Sequence, residues 1–163
     1  MKVVIITGTP GTGKSRLAEI LAKKLGFKRI DVNKLIESRS LCEEFDEIKK
    51  CKVVDKEKLV KALTKEMEKS KNNLVIDSHM SHYLDKRIVN LCLVAKTNLK
   101  ILKERLEKRG YDEGKVRENL DVEIFDVCLT EAEEAGHTIM IVDTSHDVDE
   151  EEFIDEVKRK LNI

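Results

Sequence analysis

Residues Gly8-Thr9-Pro10-Gly11-Thr12-Gly13-Lys14-Ser15 constrain this chain more than any other stretch. An apolar run, Val3-Val4-Ile5-Ile6, leads into them, and Leu17, Leu21 and Leu25 follow at helical spacing. Strand, glycine-rich loop and helix in that order form the context of a phosphate-binding loop. Glycines let the backbone bend until successive N–H groups converge on phosphate oxygens. The helix behind the loop aims its partly positive N-terminus at the same point. Lys14 then supplies a cation near the β- and γ-phosphates, and the Ser15 hydroxyl is a ligand for Mg²⁺. A tight turn without phosphate affinity would account for the glycines but not for the flanking strand and helix. The expectation is a site for a nucleoside triphosphate.

At 163 residues the length suits one compact domain, 1–163. Lys and Arg number 31 against 32 Asp and Glu, so the formal net charge is −1. That balance argues against binding nucleic acid through bulk charge. Aromatic residues are only 4% and Trp is absent, so platforms for stacking bases are few. Cys42, Cys51, Cys92 and Cys128 are widely spaced with no CxxC. No secretory signal precedes them, and reduced, structural thiols in a cytoplasmic protein are expected. Cys92 sits in an apolar run and reads as core. No apolar stretch approaches a membrane span, and no membrane partner is expected.

Apolar runs and helical patterns alternate along the chain, the signature of an α/β fold with a parallel sheet between helices. Strands are expected near Lys2–Thr7, Phe27–Val32, Leu74–Asp77, Ile88–Val94 and Thr138–Val142. Helices are expected over Gly13–Leu25, ended by Gly26, and over Asp55–Lys69 and Asn98–Lys108. A longer helix should run from Gly114 to Glu134, with Val116, Leu120, Ile124 and Val127 on one face. A last one follows Asp149 and buries Phe153, Ile154, Val157 and Leu161. Residues from Asn33 to Cys51 are charged with scattered apolar anchors (Leu35, Ile36, Leu41, Phe45, Ile48). They read as short helices and a turn standing away from the main core.

Two further constellations carry chemistry. Asp77-Ser78-His79 follows the Leu74-Val75-Ile76 strand, and ligands of a doubly wound sheet collect beyond the carboxyl ends of its strands. Asp77 stands where an acidic residue would hold Mg²⁺ or a water of its shell; as a bland alternative it caps a turn. His79, two residues on, could orient an attacking water or touch a phosphate, or serve only as a structural hydrogen-bonding group. His79 and His82 also make an HxxH pair, but no partner at matching spacing supports zinc. Arg105 and Arg109 lie four apart at a helix end, so both project from one face, and forked guanidinium groups suit a moving phosphoryl group. Gly110 would let the next segment hinge over a nucleotide. A solvated helix face is the alternative, with Glu104 and Glu107 close enough for exposed ion pairs. No NKxD or TKxD box follows a strand, which argues against a Ras-like GTPase.

Taken together, Thr7-Gly8-Thr9-Pro10-Gly11-Thr12-Gly13-Lys14, Asp77-x-His79, Glu104-Arg105-Leu106-x-x-Arg109-Gly110-Tyr111 and Glu123-Ile124-Phe125 resemble the adenylate kinase isoenzyme 6 family over nearly the whole chain. The resemblance implies a P-loop nucleoside-monophosphate-kinase fold: a five-stranded parallel sheet, a monophosphate-binding insert near 31–54 and a short lid near 108–118. It further implies that Gly11, Gly13, Lys14, Ser15 and Arg16 hold the phosphates of ATP, with Arg109 over them from the lid. Asp77 and His79 match the metal-linked pair tied to hydrolysis, with Ser15 and Asp77 as the Mg²⁺ residues. Arg39 and Arg87 are the candidates for the acceptor phosphate. The implied activities are phosphoryl transfer from ATP to AMP or another nucleoside monophosphate, and ATP hydrolysis. The implied partners are a small-subunit ribosomal protein of the uS11 type and the pre-ribosomal small subunit, in 16S rRNA maturation. Two alternatives remain: an assembly-factor ATPase whose hydrolysis times binding and release of a ribosomal protein, and a P-loop kinase for another small acceptor, such as a different nucleotide or shikimate.

Overall fold

Val3–Thr7 forms strand β1, and all five residues are buried. β-Branched side chains pointing to both faces suit a strand covered on both sides. In the computed structural model, which describes residues 1–46 and 51–163, β1 lies at the centre of a five-stranded parallel sheet. Its companions are β2 (Lys28–Asp31), β5 (Leu74–Asp77), β6 (Leu91–Lys96) and β7 (Ile139–Asp143). The order across the sheet is β2-β5-β1-β6-β7. Val4 pairs with Val75 on one side and Leu91 on the other. The chain first builds leftward from β1, then crosses to its right for β6 and β7, which opens a crevice at the carboxyl ends of β1, β5 and β6.

Each face of the sheet carries an apolar layer. On one face lie α1 (Lys14–Leu25) and α7 (Glu150–Leu161), contributing Leu17, Leu21, Phe153 and Val157. On the other lie α2 (Val32–Ser38), α3 (Lys56–Glu68) and α6 (Val127–Glu134), contributing Leu35, Leu59, Leu63 and Ala132. A third, small cluster joins α4 (Leu99–Lys108) to α5 (Glu113–Ile124) through Leu102, Leu106 and Val116. The helix starts follow from local chemistry: Asp55, Asn98, Asp112 and Asp149 each accept backbone N–H groups of the first turn, the ordinary N-cap arrangement.

Three expectations are corrected. The region after Asn33 does not stand apart as short helices. Helix α2, capped by Asp31, buries Val32, Leu35 and Ile36 in the main core. It ends where Ser40 takes a left-handed φ of 50°, with Leu41 N–H donating to Ile36 O and Ser40 N–H to Glu37 O, a Schellman-type stop. The chain then forms an antiparallel pair, β3 (Cys42–Asp46) with β4 (Cys51–Val54). Ile48 lies outside the described residues, as do the side chains of Phe45, Cys42 and Cys51. The strand expected at Ile88 begins only at Leu91. Ile88 N–H closes a turn on Asp85 O, and Asn90 bonds Val3 through both its N–H and its side chain. The helix expected from Gly114 to Glu134 is two helices, broken at Asp126, whose φ is 52°. The face reading fails there too: Ile124 is exposed, while Asn119 and Glu123 are buried.

Candidate active site

The loop between β1 and α1 is fastened from behind. Thr12 N–H and its hydroxyl both donate to Thr9 O, at 3.2 and 2.7 Å. The Thr144 hydroxyl, just past β7, donates to Thr12 O at 2.7 Å. Arg105 reaches Gly11 O at 3.4 Å. Gly8 has φ 144°, and a Cβ there would lie 2.6 Å from Ala95 O; at Gly11, φ 90°, one would lie 3.0 Å from Leu102. Only glycine permits that curvature with β6 and α4 so close. Gly11 O and Thr12 O are thus bonded to the scaffold, and Gly8 O and Thr9 O accept from Lys14. Helix α1 begins there at Gly13 with no side-chain cap and no acidic residue in its first turn. Uncapped N–H groups and the helix dipole make that end an anion site.

Lys14 is half-buried beneath the loop, its ammonium donating to Gly8 O at 2.8 Å and Thr9 O at 3.0 Å. Burial is the main reason its pKa falls from 10.5 to about 8; Cys128 opposes this, Arg109 adds to it, and Asp77 and Glu123 oppose it. Ser15 Oγ donates to Asp77 Oδ2 at 2.8 Å, so the hydroxyl and the carboxylate of the Mg²⁺ expectation meet at the mouth of the loop. Hard oxygen donors of this kind fit Mg²⁺. The same carboxylate already accommodates a cationic group: Arg29 Nε and Nη2 donate to its two oxygens at 2.8 and 3.0 Å.

His79 lies in the turn that follows β5. Its surface is open to solvent, yet the protein packed around it, then Lys14, then His82 lower its pKa well below the ordinary imidazole value. It is a neutral imidazole at pH 7. His82 turns into the core instead, its Nδ1 paired with Thr7 Oγ1 at 2.7 Å and its Nε2 2.8 Å from Glu131.

A cavity of about 680 Å³ opens over the loop, lined by Gly11, Gly13, Arg16, Arg105, Arg109 and Thr144 among others. Arg109 is exposed at the end of α4, where Gly110 N–H and Tyr111 N–H close the helix on Glu107 O and Leu106 O. Arg105 differs from its sister in spite of the shared face. Its fork is engaged with Thr144 O at 2.6 Å, besides Gly11 O and Thr97 Oγ1. Arg16 lies at the rim, paired with Glu150 at 2.7 Å. The two acceptor candidates are not brought to this cavity. Arg39, at the end of α2, pairs with Glu66 of α3, and Arg87 is exposed and paired with Asp85 at 2.9 Å.

Sequence reasoning missed three groups. Glu123, the penultimate residue of α5, is 5% exposed. It accepts the Thr9 hydroxyl at 2.6 Å and Thr97 N–H at 3.0 Å, with Lys96 Nζ at 3.2 Å. Arg29 and Thr144 are the other two. Glu123 stood in the Glu123-Ile124-Phe125 stretch without an assigned role, and Arg29 was a cation inside a parallel strand, where such strands usually read as apolar. The thiols of Cys92 and Cys128 are free and buried, and burial pushes that of Cys92 up to about 12. Among the described residues no helix is long and apolar enough to cross a membrane.

A glycine loop at the central strand of a parallel sheet, a carboxylate at the next strand's end and guanidinium groups across the cavity define the P-loop kinase class. Solved structures agree on the fold. Shikimate kinase from Bacteroides thetaiotaomicron superposes with a TM-score of 0.62 at 18% identity, covering 99% of both chains. Deoxyadenosine kinase from M. mycoides with bound dATP gives 0.54 at 18% identity, covering all of both chains. A family profile described as an AAA domain matches residues 4–126. The adenylate kinase isoenzyme 6 homolog of Caenorhabditis elegans is 36% identical over 132 residues, 81% of this chain and 72% of its own. That of Dictyostelium discoideum is 35% identical over 140 residues, 86% and 79%. A provisionally named adenylate kinase of Methanocaldococcus jannaschii is 40% identical over 159 residues, 96% and 86%. This chain belongs to the adenylate kinase isoenzyme 6 family.

Proposed function

We propose that this protein transfers the γ-phosphoryl group of ATP to AMP, giving two ADP. One observation carries the reading beyond family membership. Lys14, the Ser15–Asp77 pair and the uncapped start of α1 converge on one side of the loop, where a triphosphate tail would be held by all of them. Phosphoryl transfer needs little covalent chemistry from a protein; positioning and charge stabilisation do most of the work. The loop N–H groups orient the phosphates, and Lys14 leaves its two carbonyls for them. Arg109, exposed at the cavity wall, is the free guanidinium for the transferred group. Arg105 serves it indirectly by holding Gly11 and Thr144. Ser15 and Asp77 would hold Mg²⁺, which when bound neutralises charge on the phosphates. The segment 108–118 acts as the lid, closing on the cavity and keeping water from the phosphoryl group.

His79 favours ATP hydrolysis as a second activity. A neutral imidazole near Lys14 can accept a proton from water or orient it. A role in small-subunit maturation with a ribosomal protein rests on the family alone. Arg39 and Arg87, the acceptor candidates, pair with Glu66 and Asp85 outside the cavity. Phosphate and ADP release measured with and without AMP, then with CMP, dAMP and shikimate, tests the reading. AMP-dependent ADP formation is the expected result. Turnover indifferent to every acceptor would leave a hydrolase and remove the kinase.

A further inference from the structure

Arg29 lies on the edge strand β2, which reads Lys-Arg-Ile-Asp. It is the second residue of β2, in register with Val75, and its side chain is 32% exposed. Its fork grips both oxygens of Asp77, at 2.8 and 3.0 Å, and that carboxylate keeps only 7% of its surface. Ser15 adds a third donor at 2.8 Å. Glu19 of α1 lies 3.6 Å from the far nitrogen of the guanidinium, so the fork is held from two sides and does not merely rest on the carboxylate. The oxygens placed to serve a metal are therefore already neutralised by the chain itself.

That arrangement has a consequence for metal binding. A bidentate guanidinium–carboxylate pair is a strong, directional contact. Mg²⁺ sheds its water reluctantly and requires near-ideal oxygen geometry. A bare divalent ion approaching Asp77 meets a second positive charge at contact distance, in a place where water screens poorly. A triphosphate reverses the sign of the local field, because its oxygens supply both negative charge and ligands. We propose that Arg29 is a built-in counter-ion of Asp77 that keeps divalent metal off the nucleotide-free cleft, so that metal enters only together with nucleotide. Arg29 acts through Asp77 and is a positioning residue. The inference rests on the nucleotide reading above and adds to it the order of binding.

Mn²⁺ is the probe, its free fraction read by electron paramagnetic resonance with the full chain. Without nucleotide, Arg29→Met binds Mn²⁺ at least about tenfold more tightly than the unaltered protein, and Arg29→Lys falls between them. Adding Asp77→Asn to Arg29→Met returns the affinity to the original level. With a saturating non-hydrolysable ATP analogue, Arg29→Met changes Mn²⁺ affinity by less than about threefold. Unchanged affinity in the nucleotide-free variants overturns the proposal, as does an equal gain with and without the analogue. If circular dichroism shows Arg29→Met unfolded, Arg29→Lys decides alone by the same criterion. Calorimetric titration of the unaltered protein with the analogue keeps the two readings apart. No binding there sinks the nucleotide site, whereas the Mn²⁺ comparison on nucleotide-free protein sinks or sustains the counter-ion.

Discussion

Lys14 holds its ammonium against two carbonyls of its own loop, half out of water, and its pKa has fallen to about 8. Two outcomes belong to this residue. Lys14→Ala should lower turnover by about a thousandfold while leaving far-UV circular dichroism unchanged, because the ammonium closes no core contact. Wild-type turnover in that variant would remove its role. The second outcome is a pH dependence with a definite sign. Bound phosphates favour the charged ammonium, so the pKa in the complex lies above that of the empty site. Below pH 8 both forms are protonated and affinity is flat. Above about 8 the empty site has lost its proton and must regain it on binding, so affinity falls as pH rises. Calorimetry at pH 9, in buffers of different ionisation enthalpy, should read uptake of up to about one proton. His79 cannot produce that signal, being uncharged throughout this range.

Helix α5 joins the segment after Gly110 to the back of the phosphate loop, and Glu123 is the joint. Glu123→Ala would strand the Thr9 hydroxyl and Thr97 N–H at once, while the Lys96 ammonium keeps Asp126 and the backbone oxygen of residue 123. Removing one acceptor from two buried donors costs about 3 kcal/mol, which a urea midpoint would register with an unchanged slope. Nucleotide affinity should fall as well, since Thr9 O positions Thr12 and Lys14; Glu123→Gln, which keeps one acceptor oxygen, should lose less than half as much. Equal stability of all three proteins would mean these bonds carry nothing. The same helix shows what sequence can convey. Strand β1, the loop and α1 were legible because glycine spacing and apolar periodicity report local geometry. The α5–α6 break was not. Val116, Leu120, Ile124 and Val127 continue one helical period, but a buried Glu123 turns the helix by its own bonds and leaves Ile124 and Phe125 outside. Arg29 and Arg105 were illegible in another way. A guanidinium's partners are fixed by tertiary approach, so spacing placed Arg105 with Arg109 while folding gave it to Gly11 and Thr144. Asp77 and Ser15, sixty-two positions apart, could be joined in advance only because strand ends converge.

Across the whole molecule, the sheet is fastened at its carboxyl side in two places. The segments that follow β1, β6 and β7 are tied together through Gly11, Thr97 and Thr144, and Arg105 touches all three. Thr97 and Thr144 also share a hydroxyl contact at 2.7 Å. The opposite edge, β2 with β5, is tied instead through Arg29 and Asp77. Two separate fastenings on one sheet should open separately, since local unfolding follows cooperative units. Arg105→Met keeps an unbranched side chain of similar reach but removes the donors to all three segments. Thr144 O and Gly11 O then lose a charged donor, at a cost of about 2 kcal/mol. Hydrogen exchange should quicken together at residues 8–13, 97–98 and 144–148, with β2 and β5 unaffected. Arg29→Met should show the converse, quickening β2 and the end of β5 alone. A change confined to α4 in the first variant would mean that Arg105 merely decorates its own helix, and the cavity floor would then owe its shape to the glycines and threonines without it.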